Sequence, residues 1–325
     1  MRSLRTVAAL LAAGVMLPSA AAAHGPVAPI ASSYLARVTK APPRLDVKVV
    51  DGDQRLWVRI APGATLVVRD YRGAPYLRLS DRGVEVNRNS EMAYLNHVPA
   101  EKIPRDVTAA TPPAWRRVSG ARSYGWHDGR LHALASVARA PGVSLAGRWR
   151  VPVIADGRPA AISGTLTHAD HPSLVWLWIV LVIVACVLAA RRLRRPQLDR
   201  RVARALAIVA LAAIAAAAVA RGLHGRPGLS AVQLVILGVL GAFVVWGAYR
   251  VAAGRVDFLV LVAIGFVALW EGAVVVSTLW NGFVLAALPA FWVRVAAVLC
   301  FGCGTGLLLE ASRATREPTP EQAVR

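Results

Sequence analysis

Five long apolar stretches between residues 173 and 311 constrain this chain more than any other feature. Ser173–Ala190 runs uninterrupted by charge. At about 1.5 Å per residue, a helix of that length nearly matches a hydrocarbon core of roughly 30 Å. Val202–Ala220, Gly228–Tyr249, Val256–Ser277 and Phe291–Leu309 repeat the pattern. With 56% hydrophobic but only 7% aromatic residues, the chain does not read as a single soluble globule. It reads as five transmembrane helices over residues 173–311, with the lipid bilayer as their partner.

The arginines orient the spans. Arg191-Arg192-Leu193-Arg194-Arg195 and Arg200-Arg201 directly follow the first stretch. The positive-inside rule then places the loops 191–201 and 250–255 and the tail 312–325 in the cytoplasm, with the region before residue 173 outside. The outer loop around 278–290 carries no charge, whereas Arg221 and Arg226 in the other outer loop run against the rule. The formal charge of +20 largely flanks apolar stretches rather than coating one soluble domain. That distribution speaks for a membrane and against nucleic acid.

Residues 1–23 have the form of a signal peptide: Arg2 and Arg5, an apolar run from Val7 to Leu17, then Pro18 and a small-residue segment ending Ala21-Ala22-Ala23. Cleavage after Ala23 makes His24 the new N-terminus. The chain therefore reads as an exported domain on an inner (plasma) membrane protein. Cys186, Cys300 and Cys303 all fall in apolar segments, so the exported domain's stability does not rest on disulfides.

The exported segment, 24–172, switches to short alternating β-branched runs separated by turn dipeptides. Leu45–Val50 and Arg55–Ile60 flank Asp51-Gly52-Asp53; Tyr76–Leu79 and Val84–Asn87 flank Ser80-Asp81-Arg82-Gly83; Gly147–Ala155 and Ala160–His168 flank Asp156-Gly157. Aspartate-glycine between alternating strands marks a hairpin, because both central residues take positive φ. With Thr65–Arg69 and a fourth hairpin at Asp128-Gly129, eight or nine strands result, the count of an immunoglobulin-like β-sandwich. Residues 88–113 lack a clear period and read as a long loop.

The most specific local feature is Tyr124-Gly125-Trp126-His127-Asp128-Gly129-Arg130-Leu131-His132. If Asp128-Gly129 is a two-residue turn, His127 pairs with Arg130, and His127 and His132 become diagonal neighbours with Cβ atoms roughly 7–8 Å apart or less. Trp126 and Leu131 then face the core. Two imidazoles so placed either share a metal, with copper or zinc suited to them, or simply line a polar face. His24, freed by cleavage, offers an α-amine and a ring nitrogen as a chelate for Cu(II), or is an ordinary terminal residue. His168, Asp170 and His171 are a third cluster or a polar juxtamembrane linker. Six of the seven histidines, at 24, 97, 127, 132, 168 and 171, lie before the first span.

Within the spans Glu271 stands out, since a carboxylate at mid-bilayer costs on the order of 2.5–3.5 kcal/mol on insertion scales. Arg294, at the outer part of the fifth span, is its expected partner, in a structural tie or an ion site. Cys300-Phe301-Gly302-Cys303, beside Gly304 and Gly306, reads as small residues for close helix packing rather than redox chemistry. No histidine lies within a span, which speaks against a bis-histidine haem held between helices. Neither a P-loop nor a Gly-x-Ser-x-Gly or His-Glu-x-x-His motif occurs, which leaves no signature of an enzyme.

The runs YRGAPYLRLSDRGVEVNRNSEMAYLN and RSYGWHDGRLH resemble a largely actinobacterial family of uncharacterised membrane proteins with an exported β-domain, over roughly residues 25–310. That family often reads His-Asp-His-Arg-x-His at the second run. This chain keeps His127, Asp128, Arg130 and His132 but carries Gly129 at the central histidine. The resemblance implies an architecture rather than an activity. The signal peptide, the N-terminal histidine and the β-sandwich are also similar to the periplasmic copper-resistance CopC proteins, whereas the spans lack the histidines of their multi-helix partner CopD. The sequence thus points to a non-enzymatic membrane protein whose exported domain binds a ligand, copper being one, through His127, His132 and His24. The alternatives are a metal-free module docking another envelope protein through its Arg-rich surface and loop 88–113, or a transporter using Glu271.

Overall fold

The computed structural model describes residues 29–97, 99–132, 145–193 and 195–314. Residues 1–23, expected to be a signal peptide, and His24 lie outside the described residues, as does most of the segment 312–325.

The segment before the helices is a β-domain. Its strands are β1 (Ala31–Ser32), β2 (Tyr34–Lys40), β3 (Leu45–Val50), β4 (Arg55–Ile60), β5 (Leu66–Arg69), β6 (Pro75–Ser80), β7 (Gly83–Asn87), β8 (Trp115–Ser119), β9 (Ser123–His127), β10 (Leu145–Ala155) and β11 (Arg158–His168). The β10–β11 hairpin turns on Asp156-Gly157 alone, both with positive φ (48° and 76°), the twist that right-handed strands need at a two-residue turn. Asp51 and Gly52 adopt the same region (62° and 82°) between β3 and β4. β6 and β7 close through Asp81-Arg82. Three expected hairpins are therefore present at their expected positions.

The strands form an antiparallel ladder in the order β2-β11-β10-β5-β6-β7-β8 and a second, three-stranded sheet β3-β4-β9. Both feed one hydrophobic core, with Leu56, Val58, Ile60 and Trp126 from the smaller sheet and Leu77, Leu79, Val151, Val153, Ile162 and Leu166 from the larger. Alternation explains the sorting, since successive side chains along a strand face opposite sides. Residues 88–113 are less irregular than expected: helix α1 (Glu91–Leu95) places Met92, fully buried, in the core. Two buried polar residues anchor this excursion. Asn87 accepts from Asn89 N and Ala114 N and donates to Pro75 O, while Ser90 donates to Asp70 at 2.9 Å.

The remainder is helical: α2 (Val175–Arg192), α3 (Pro196–Gly222), α4 (Ala231–Ala252), α5 (Phe258–Val275) and α6 (Ala290–Ala314). These five are long and apolar enough to cross a membrane. α3, α5 and α6 make the packed centre, while α2 and α4 turn most of their apolar side chains outward. Backbones approach where glycines face each other: a methyl added to Gly304 would lie 3.0 Å from Gly265 O. Cys300 and Cys303 are buried in this same seam, Cys300 against Gly272, in keeping with small-residue packing.

The β-domain is tied to the end of the helical bundle that carries the α5–α6 connector. β1 pairs with β12 (Phe283–Val284) in the connector between α5 and α6. Leu285 N donates to Ile30 O at 2.7 Å, Ser33 Oγ donates to Asn281 Oδ1 at 3.0 Å, and Ile30 is buried with Ala217, Val275 and Val293.

Candidate functional site

The fourth expected hairpin is absent, and its absence builds the site. Asp128 is fully buried and its carboxylate accepts from Trp126 Nε1 (2.9 Å), Arg130 N (3.2 Å), Arg130 Nε (2.8 Å) and Arg130 Nη2 (2.7 Å). A carboxylate held by both neighbours two residues away keeps its backbone extended, with φ −132°, so a type I′ turn cannot form. Instead a 3₁₀ turn, Gly129–Leu131, follows, and His127 pairs with Arg55 of β4 rather than with Arg130. Trp126 and Leu131 are buried as expected.

The 3₁₀ turn brings His132 back over the end of β9. His132 Nε2 lies 3.1 Å from His127 Nε2, with ring centroids 4.7 Å apart. His132 Nδ1 lies 3.3 Å from Asp53 Oδ2 in the β3–β4 turn. With Asp53 accepting at His132 Nδ1, one of the two facing Nε2 atoms donates to the other. His127 is fixed from its backbone, since Asn96 Oδ1 accepts from His127 N (2.8 Å) and Asn96 Nδ2 donates to His127 O (3.1 Å). Burial, followed by the neighbouring His132, pushes the His127 pKa below the usual histidine value, so its ring favours the neutral form.

Asp53 was not legible as a site residue, because β4–β9 pairing, a contact between distant segments, is what carries its turn to His132. The other histidines stay apart. His97 meets Glu101 (3.2 Å), His168 lies 3.7 Å from Asp170, and His171 contacts Trp280 O. Among the described residues, no group of three or more histidine, cysteine, aspartate or glutamate side chains converges as a metal cage.

The intramembrane pair differs from expectation. Glu271, with its side chain 1% exposed, accepts from Arg221 Nη2 at 2.8 and 3.0 Å. Arg294 instead donates to the carbonyls of Thr278, Asn281 and Gly282 at 2.9–3.0 Å, capping the irregular segment after α5. The physical reason lies in helix ends: Arg221 closes α3 beside Glu271, whereas Arg294 stands level with unpaired carbonyls. The two arginines that ran against the positive-inside rule are thereby explained. Arg221 neutralises Glu271, and Arg226 Nε lies 3.2 Å from Asp51 Oδ1.

Compared with known proteins, the chain matches no family model, no curated protein and no solved structure.

Proposed function

We propose that the chain is a non-enzymatic inner-membrane protein whose extracytoplasmic, immunoglobulin-like β-sandwich binds copper through His127 and His132. The observation that carries this reading is the 3.1 Å approach of the two Nε2 atoms with Asp53 behind His132. Two nitrogens 3.1 Å apart each reach a common ion at about 2.0–2.1 Å with an N–metal–N angle of about 95–102°, between square-planar and tetrahedral. A carboxylate on the far nitrogen of a ligating imidazole orients the ring and raises its basicity, which is the role assigned to Asp53. His24 is the proposed third ligand, contributing its α-amine and ring once the signal peptide is removed.

Metal analysis of the intact chain, purified without chelator, tests the reading. One copper per chain is expected, reduced in His24→Ala and lost in both His127→Ala and His132→Ala. Full copper retention in both of the latter variants refutes the site. A wild-type chain that takes up no copper favours the envelope-docking module instead.

A further inference from the structure

The outward face of β2, β11 and β10 carries two cross-strand rows of cations. Thr165 is the register partner of both Arg37 and Arg148, and Ser163 of both Lys40 and Arg150. Arg37, Lys40, Arg148 and Arg150 are exposed, while Trp149, Val151, Ile162 and Leu166 between them point into the core. Alternate strands lie about 9–10 Å apart and alternate residues about 7 Å apart, so four positive charges share a rectangle of roughly those dimensions.

Among the described residues, several other cations of the domain are paired with a carboxylate, while others, Arg82, Arg116, Arg117 and Arg158 among them, are not. Arg44 meets Asp156, Arg55 meets Asp51, Arg72 meets Glu91, Arg78 meets Glu85, and Arg130 meets Asp128. Among the described residues, none of the four cations on this face has a carboxylate within salt-bridge distance. The four cations stand on alternate strands, across Thr165 and Ser163 of β11, and share one exposed face. A face that concentrates them without internal compensation is built for an external anion.

We propose that this face binds the anionic phospholipid headgroups of the membrane that the helices cross. Its position favours that occupant over a soluble polyanion. Tyr34 and His168 are register partners at the strand ends, and the next residues meet the outer connector: Ser33 at Asn281, and His171 at Trp280. The Arg37–Thr165–Arg148 row stands three residues above, about 10 Å. Trp280 and Trp292 are exposed large aromatics on and beside that connector, as expected at the membrane–water interface. Headgroups add about 5–8 Å to each side of the hydrocarbon core, which brings the first row to their outer rim, within reach of long cationic side chains.

The test uses the full chain in nanodiscs of phosphatidylcholine with and without phosphatidylglycerol, read by thermal midpoint. Phosphatidylglycerol should raise the midpoint by several degrees, and high salt should diminish the gain. The variant Arg37→Gln/Lys40→Gln/Arg148→Gln/Arg150→Gln should lose the gain while remaining at least as stable as the parent in pure phosphatidylcholine. Should that variant not fold, Arg37→Gln/Arg148→Gln, which removes the row nearest the headgroups, should lose most of the gain. A phosphatidylglycerol gain undiminished in the neutralised variants, or none in the parent, overturns the proposal. So does stabilisation by soluble polyphosphate in phosphatidylcholine discs without any effect of phosphatidylglycerol.

Discussion

Arg226 Nε lies 3.2 Å from Asp51 Oδ1, joining the β3–β4 turn to the connector between α3 and α4. The Asp51 side chain is only 4% exposed, and Arg55 Nη1 approaches its other oxygen at 3.4 Å. Two residues along the same turn, Asp53 holds His132. One short turn therefore touches both the histidine pair and the membrane domain.

That relationship predicts a measurable coupling between domains. Arg226→Gln leaves a nearly buried carboxylate with one cation instead of two, and is expected to cost about 1–2 kcal/mol of stability. Asp51→Asn/Arg226→Gln should cost less than the sum of the single changes, because the second substitution removes a charge the first has stranded. Protease nicking in residues 223–230 across the four proteins of the cycle reads this out.

Inside the helical bundle the corresponding pair is Arg221 and Glu271. Glu271→Gln strands an arginine among apolar helices, and the loss is expected to reach about 3–5 kcal/mol, with Arg221→Gln/Glu271→Gln milder than either single variant. Thermal aggregation midpoints in detergent should rank the double variant above both singles. A double variant that loses the sum of the two single losses would show that the two charges do not act as a pair.

Much of this was readable from residue order because it is local. Asp156-Gly157 fixes its own hairpin through two positive φ values, and runs such as Val256–Ser277 announce a span by apolarity alone. What escaped was decided by contacts between distant segments. Asp128-Gly129 has the same letters as a hairpin turn, yet Trp126 and Arg130 bind its carboxylate once Trp126 is committed to the core. The partner of Glu271, expected to be Arg294, is Arg221 for a similar reason: both arginines lie near the same end of the bundle, and only helix packing decides between them. The two histidines meet through a 3₁₀ turn rather than a hairpin, so a wrong local route led to the correct neighbours.

His224 predicts a pH dependence at the same domain boundary. Burial, then Arg226, pushes its pKa below the usual histidine value, with Asp51 opposing. The unfolded chain, with a histidine pKa of about 6.5, thus binds a proton before the folded one does. Stability from this group is fully present above about pH 6.5 and is lost as pH falls through that value toward the lower folded pKa. The thermal midpoint should decline across that window in the parent and decline less in His224→Gln.

The two aspartates of the histidine site predict opposite signatures. Asp128 is a buried acceptor of four hydrogen bonds from Trp126 and Arg130. Asparagine there turns one acceptor into a donor facing donors and strands the Arg130 guanidinium, so Asp128→Asn should cost about 2–4 kcal/mol. It should also release the 3₁₀ turn that places His132. Asp53, by contrast, touches the pair only through His132 Nδ1. Asp53→Asn should weaken copper binding about 10–100-fold with little change in unfolding midpoint. Calorimetric titration with copper alongside thermal melts separates the two, and a large stability loss in Asp53→Asn would place that residue in the framework rather than behind the ligand.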